Sequence, residues 1–179
     1  TFAIYDASGN AIARLDGHTN WILRMVASED GSVLVTAGED REILVWDLET
    51  QTITQRLVSP KHSAAEQLCL VQNDNGQKVL FSGHRDGTVL KWNLATEELE
   101  QTLSVFGNRI SGMQPIGNRL LVASSSSPNI KFFDLRDGKP IADLPFSDQA
   151  IELLQASEST EKLWVGNPSS VQIHELASP

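Results

Sequence analysis

Short runs of apolar residues alternate along the chain with polar turns, and one pattern recurs. A β-branched or aromatic residue is followed by two mostly apolar positions, an aromatic residue, and an acid or amide. The pattern occurs at residues 2–6, 43–47, 89–93 and 130–134, with a weaker copy at 171–175. Its aromatic positions are Tyr5, Trp46, Trp92 and Phe133, and His174 takes that place in the weaker copy. This regular spacing predicts a repeated structural unit rather than one continuous fold.

Each repeat carries the marks of four short strands, a to d. A polar turn and then a leucine follow the aromatic residue that ends strand c, and this leucine marks strand d at Leu57, Leu103 and Leu144. Apolar runs upstream predict strand b at 33–35, 79–81 and 120–122. Runs before them predict strand a at 22–27, 67–71, 110–115 and 150–155. No segment keeps a helical period, so the sequence predicts an all-β β-propeller of four-stranded antiparallel blades with almost no helix.

The repeats divide the chain into about four blades. The expected boundaries are a partial blade at 1–15, blades at 16–57, 58–103 and 104–144, and an incomplete blade at 145–179. The predicted strand order begins with an additional strand c at residues 1–6, which a closed four-blade ring cannot use. Two arrangements are therefore expected: a segment of a longer propeller, or two chains that form one eight-bladed ring. Either one predicts self-association of the isolated chain through open blade edges.

The segment from Gly17-His18 to Trp46-Asp47 resembles the WD-repeat family, and the resemblance extends over essentially the whole chain. In that family a well-formed blade contains a hydrogen-bonded tetrad of His, Ser or Thr, Asp and Trp. The resemblance implies one tetrad of His18, Thr36, Asp40 and Trp46, and a second of His62, Ser82, Asp86 and Trp92. The corresponding positions before Phe133 and His174 hold other residue types, so no tetrad is expected in the last two blades.

Composition bears on the partners. The chain has 179 residues and a formal net charge of −9, which argues against binding nucleic acid by phosphate neutralisation and weakly favours basic protein segments. No apolar run is long enough for a membrane span, and no signal peptide is visible. A cytoplasmic location is therefore expected, with the nucleus as the alternative. Cys69 is the only cysteine and is expected to be a buried structural thiol.

The chemistry-bearing residues do not indicate catalysis. The His, Ser and Asp of the tetrads recur in two successive repeats, each with a Trp, which a nucleophilic triad would not require. The sequence has no Cys/His cluster with metal-ligand spacing and no glycine-rich phosphate loop, so neither a metal site nor a cofactor is expected. A propeller enzyme with a site at the central channel remains an alternative, but the predicted channel strands offer only Arg24 and Glu152.

The function expected from the fold is a scaffold or adaptor that presents peptide-binding loops to other proteins. The resemblance places the d–a loops and b–c turns on the face that this family uses most for peptides. A structural segment of a larger signalling protein is the other alternative. The candidate partner-binding residues, with His84 taken as an exposed turn residue, are Thr19, Asn20, Trp21, Glu39, Arg41, His84, Arg85, Asn108 and Arg109.

Overall fold

In the computed structural model, which describes residues 2–5, 7–157 and 162–175, the chain is an all-β protein. It begins with an antiparallel pair, β1 (Phe2–Tyr5) and β2 (Ala11–Leu15). These two strands correspond to strands c and d of a blade, as the first copy of the pattern predicts. Asp6, the acid of that copy, lies outside the described residues. No helix in the described part of the chain has the length and hydropathy to span a membrane.

Three four-stranded antiparallel sheets follow, and each is a meander in which consecutive strands pair. Blade I contains β3 (Ile22–Ala27), β4 (Val33–Gly38), β5 (Glu42–Asp47) and β6 (Thr52–Val58). Blade II contains β7 (Ala65–Gln72), β8 (Lys78–His84), β9 (Thr88–Asn93) and β10 (Glu98–Ser104). Blade III contains β11 (Ile110–Ile116), β12 (Arg119–Ser124), β13 (Asn129–Asp134) and β14 (Pro140–Pro145). The WD-type blade architecture predicted from the repeat is confirmed.

The last sheet has three strands, β15 (Leu153–Ser157), β16 (Lys162–Gly166) and β17 (Val171–Glu175). Strand a was expected to begin at Ala150, but β15 begins three residues later. Ile151 is held in the preceding loop, where its N–H donates to the carbonyl of Ser127 in blade III at 3.1 Å. This contact between neighbouring sheets is not visible in the local sequence pattern.

The sheets pack face to face, and the middle strands of the blades are buried because both of their faces are covered. One apolar core lies between blades I and II, a second between blades II and III, and a third between blade III and the last sheet. A smaller core joins β2 to blade I through Leu15, Leu44 and Trp46. Strands β3, β7, β11 and β15 contact one another in that order, so they form the inner side of an arc.

Polar side chains add fixed links between the blades. Gln55 donates to the carbonyl of Leu94 at 2.6 Å, which ties the outer strand of blade I to a turn of blade II. Gln67 donates to the carbonyl of Ser111 at 2.9 Å on the inner strands. The Ser111 hydroxyl in turn donates to the carbonyl of Ile151. These bonds satisfy backbone groups at the seams and fix the register of one blade against the next.

The two ends of the arc expose apolar side chains. Tyr5 and Ile12 are exposed on the N-terminal pair, and Val171 and Ile173 are exposed on β17. In the part of the chain that the structure describes, β1 pairs only with β2 and β17 only with β16. Self-association through these ends stays a prediction.

Cys69 lies on β7 and is buried in the core between blades II and III. Burial raises the pKa of its thiol to about 12, so the group is neutral and unreactive at physiological pH. The residue packs as a small apolar side chain.

Candidate functional site

Blade I brings together the four residues His18, Thr36, Asp40 and Trp46. The Trp46 indole N–H donates to the Thr36 hydroxyl at 2.9 Å, and this hydroxyl lies 2.8 Å from His18 Nε2. The ionised Asp40 carboxylate can only accept, so His18 Nδ1 carries a hydrogen and donates it to Asp40 at 2.9 Å. The chain of bonds runs from the buried indole out to the surface turn.

This tetrad fixes a loop against a turn. His18 and Thr19 lie in the loop before β3, and Asp40 lies in the turn between β4 and β5. Asp40 also accepts from the backbone N–H groups of Thr19 and Glu42. Although burial raises the pKa of Asp40, the bonds from the Thr19 N–H, His18 and the Glu42 N–H outweigh that effect and hold it below the usual range. The carboxylate is therefore ionised at neutral pH and anchors the loop that carries Trp21.

Blade II builds its network from a different histidine than the one predicted. The Trp92 indole N–H donates to the Ser82 hydroxyl at 2.9 Å, and Ser82 Oγ lies 2.9 Å from Nε2 of His84. His84 is 1% exposed, so the expectation of an exposed turn residue is wrong. His62 is exposed and lies outside this network. Asp86 does not bond the imidazole either, because its Oδ1 accepts from the N–H and hydroxyl of Thr88.

Strand geometry explains why His84 takes the place predicted for His62 in blade II. Ser82 and His84 are two residues apart on β8, so their side chains lie on the same face of the strand. The equivalent position in blade I, eight residues before the tryptophan, is Gly38. A Cβ at Gly38 would lie 2.5 Å from His18 Nδ1 and closer still to the Asp40 carboxylate. In blade I the glycine leaves room for a histidine from the loop, whereas in blade II the strand supplies the histidine itself.

The loops before strand a and the turns between strands b and c form one end of the arc, here called the top face. They comprise residues 16–21, 39–41, 59–64, 85–87, 105–109, 125–128, 146–152 and 167–170. Of the nine candidate partner-binding residues, eight lie on this face with partly or fully exposed side chains. The ninth, His84, is buried beneath it.

A chain of ion pairs crosses the top face from blade I to the last sheet. Arg85 bonds Glu39 at 2.7 Å and Glu66 at 2.5 Å. Arg109 lies 3.6 Å from Glu66 and 3.1 Å from Glu152. The bond from Arg85 lowers the pKa of Glu39, and the bonds from Glu39 and Glu66 raise the pKa of Arg85. The ion pairs neutralise both arginines with three glutamates, which leaves one negative charge, and they connect blades I, II and III and the last sheet.

The inner strands β3, β7 and β11 each contain a bulge near the top face, and the bulged residue of β7 is Glu66. The pairing of β7 with β8 skips Glu66, and the pairing of β11 with β12 skips Ser111. The same skip occurs at Leu23 in β3. A bulge turns the unpaired residue away from the normal alternation. Glu66 could not be recognised as a site residue from the sequence, because the bulge leaves no signature in the pattern of apolar positions.

Trp21 and Arg41 are not part of the ion-pair chain. The Trp21 side chain is 81% exposed, although its backbone is fixed by Asn20 Oδ1 and by the N–H of Glu39. Arg41 is exposed on the b–c turn with a φ of 71°. Its guanidinium makes no hydrogen bond or ion pair within the described ranges. The top face therefore presents one large aromatic side chain and one unpaired cation on rigid backbone.

The segment that contains the first tetrad matches a known repeat family. The family model described as "WD domain, G-beta repeat" matches residues 9–47, which contain β2, the first tetrad and β5. The chain is therefore similar to WD-repeat proteins, in line with its WD-type blades.

Known WD-repeat proteins are similar to this chain over most of its length. Protein groucho of Drosophila melanogaster is 28% identical over 80% of the chain and 20% of its own length. The WD repeat-containing protein 55 homolog of Drosophila yakuba is 25% identical over 90% of the chain and 32% of its own length. The small ribosomal subunit protein RACK1 of Caenorhabditis elegans is 29% identical over 72% of the chain and 39% of its own length. The chain thus spans less than half the length of each of these relatives.

Several ionisable groups of the described residues belong to structural networks. Within residues 2–5, 7–157 and 162–175, no group of three or more His, Cys, Asp or Glu side chains is arranged to hold a metal ion. Arg24 is exposed on β3, and Glu152 is bonded to Arg109. The two residues that the sequence offered for a channel site therefore do not converge.

His84 makes the stability of this chain depend on pH. Burial lowers the pKa of His84 below 6.5, against the smaller opposite effects of the Ser63 carbonyl and Asp86. A proton on Nε2 would break the bond from Ser82, so the folded state binds this proton less tightly than the unfolded state. We expect the free energy of unfolding to be retained above pH 6.5 and to fall as the pH decreases below it.

Urea denaturation at a series of pH values between neutral and mildly acidic measures this effect. The variant His84→Gln, which cannot be protonated, serves as the control and should show a flatter dependence over the same range. A wild-type stability that is constant or rises toward acidic pH would contradict the lowered pKa of His84.

Proposed function

We propose that this chain is a protein-interaction scaffold whose top face binds segments of other proteins. The observation that carries the proposal is that two side chains of this face are available to a partner. Trp21 is 81% exposed, and Arg41 makes no ion pair, whereas the other charges of the face are largely neutralised. Tryptophan and arginine are the residues most enriched at binding hot spots. The similarity to WD-repeat proteins, one of them named as a ribosomal-subunit protein, supports an assembly role.

The rigidity of the surface favours binding by a preformed site. Two loops before strand a use the same device, because Asn20 Oδ1 accepts from the N–H of Trp21, and Asn108 Oδ1 accepts from the N–H of Arg109. The tetrad holds the first of these loops to the b–c turn. A surface that is ordered before binding loses less conformational entropy when a partner docks.

The chemistry of the site defines what a bound segment must offer. The face of the Trp21 indole suits an apolar or aromatic side chain, and Arg41 suits a carboxylate or a backbone carbonyl. Catalysis is not part of the proposal. We propose the cytoplasm as the location, with the nucleus as the alternative.

Selection of random peptides displayed on phage against the immobilised 179-residue chain tests this proposal. Peptides enriched in the selection should bind the double variant Trp21→Ala/Arg41→Ala at least tenfold more weakly, since each residue contributes at the level of a hot spot. Circular dichroism should show that the variant is folded, because both side chains are exposed.

A matched control removes one exposed apolar side chain and one exposed arginine away from the top face. Ile141→Ala/Arg14→Ala meets this condition, because the two residues lie on β14 and β2. The control should bind the selected peptides as the wild type does. If both double variants lost affinity for the peptides equally, or if neither lost any, the top face would not be the binding site.

A further inference from the structure

The opposite end of the arc carries a groove that the top-face function does not use. Two adjoining cavities of about 320 and 300 Å³ lie among the turns between strands a and b and between strands c and d. Val71, Gln72 and Gly117 line both cavities, so the two form one groove across blade II. We call it the bottom groove.

Aliphatic side chains form much of the lining of the bottom groove. Leu70 and Val71 of β7 contribute to it from blade II, and Pro115 and Leu135 contribute from blade III. All four are only half-buried, so apolar surface remains accessible inside the groove. Such a lining takes an aliphatic side chain of a bound segment, which gains free energy by leaving water.

The cations beside the groove are already neutralised by the protein. Lys78 bonds Asp30 at 2.9 Å, and Lys91 bonds Glu100 at 3.1 Å and the carbonyl of Arg136 at 2.7 Å. Arg136 makes two hydrogen bonds to Asp134, and these bonds lower the pKa of Asp134 to about 2. An anionic ligand would therefore meet no free cation among these three.

Two carboxylates in the lining are free. Glu29 lies in the turn between β3 and β4 at one end of the groove, and Asp74 lies in the turn between β7 and β8 toward the other. Both are exposed, and neither makes a hydrogen bond or ion pair within the part of the chain that the structure describes. Arg136 is near enough to Asp74 for a Coulombic effect, but its donors are directed to Asp134.

The turns that carry these carboxylates are held in place. Asp30 accepts from the hydroxyl groups of Ser28 and Ser32, which closes the turn around Glu29. Asn73 accepts from the N–H groups of Asn75 and Gln77, which closes the turn around Asp74. The two free negative charges therefore have fixed positions on either side of an apolar floor.

We propose that the bottom groove binds a short basic segment of another protein, with an aliphatic side chain in the groove and Lys or Arg side chains on Glu29 and Asp74. Charge complementarity selects this occupant. The cations of the groove are internally paired and its two unpaired groups are negative, so a basic segment gains two ion pairs and an acidic one gains none. The site is separate from the top face, and either proposal can fail without the other.

Fluorescence anisotropy with labelled synthetic peptides tests the proposal on the intact chain. The probes are a short peptide in which lysines flank leucine, its glutamate counterpart, and a version with serine in place of leucine. We expect only the first to bind well, with an affinity that falls as salt is added. Equal binding of the lysine and glutamate peptides, or of the leucine and serine peptides, would overturn the assignment.

Variants locate the binding on the protein. Glu29→Gln/Asp74→Asn should weaken the lysine–leucine peptide about fivefold, as expected for two exposed ion pairs. The control Glu98→Gln/Glu175→Gln changes the net charge equally, but its two exposed residues lie on β10 and β17 and do not line the groove. The control should leave the affinity unchanged. If both variants lost the same affinity, the peptide would be attracted by the overall negative charge of the protein, and the groove would not be the binding site.

Discussion

Replacement of Trp46 by alanine is expected to lower the free energy of unfolding by about 3–5 kcal/mol. Trp46 is buried in the core that joins β2 to blade I. Its removal leaves a large cavity there and takes the indole N–H from Thr36. Because Thr36 in turn bonds His18, the substitution also weakens the loop that carries Trp21.

The conservative variant Trp46→Phe separates packing from hydrogen bonding. It retains an aromatic ring but has no N–H, so we expect a loss of about 1–2 kcal/mol. Urea denaturation of the wild type and both variants gives the comparison. An alanine variant no less stable than the phenylalanine variant would show that Trp46 does not fill a closely packed core.

Gly87→Ala is expected to cost about 3 kcal/mol or more, from backbone strain and a steric clash together. Gly87 has a φ of 80°, which disfavours any residue with a Cβ. An added Cβ would lie 2.7 Å from the carbonyl oxygen of Asn108 and closer still to that of Phe106. Neither can move freely, since the Gly87 carbonyl accepts from the N–H groups of Val105 and Phe106.

Gly31→Ala is the matched control, because Gly31 has a φ of 69° and a Cβ there would meet no atom within 4 Å. It should cost only about 1 kcal/mol, from the left-handed backbone alone. Thermal denaturation of both variants measures the difference. Similar losses in the two would show that the strands β8 and β9 do not pack against the loop before β11 as closely as the structure has it.

The repeat in the sequence predicted most of the fold, because the features that set it are local. A strand of alternating or buried residues, a tight polar turn and a tryptophan at the end of strand c each occupy a few adjacent residues. The first tetrad was also predictable, since the Gly17-His18 pair and the Trp46-Asp47 pair both occur at the spacing of the family. The later start of β15 depends on Ile151, whose loop bonds to a neighbouring sheet.

The sequence pattern predicted His62 rather than His84 in the network of blade II. The sequence nevertheless contains the physical reason for the difference. Ser82 and His84 share a face of β8, and the closest neighbour on a strand competes well with a histidine on a distant loop. The loop of His62 instead turns back on itself, where the His62 N–H donates to the Ser59 carbonyl and its φ is 52°. The difference between Gly38 and His84 at equivalent positions is the signal that distinguishes the two blades.

The ion-pair chain and the bottom groove could not be predicted from the sequence. The ion pairs of Arg85 with Glu39 and of Arg109 with Glu152 join residues from different sheets, so their formation depends on the angle between sheets. The groove likewise exists only where turns of three blades meet. The sequence contains these residues, but the packing of the blades determines which of their charges are unpaired.

The environment of Trp21 tests the proposed function most directly. Trp46 and Trp92 are buried and Trp164 is half-buried, so acrylamide should quench mainly the emission of Trp21. When a peptide from the phage selection is added, we expect this quenching to decrease and the tryptophan emission to shift to shorter wavelength. In the variant Trp21→Phe, we expect neither change. A peptide that binds the chain tightly while Trp21 stays fully accessible to acrylamide would contradict the proposed role of the top face.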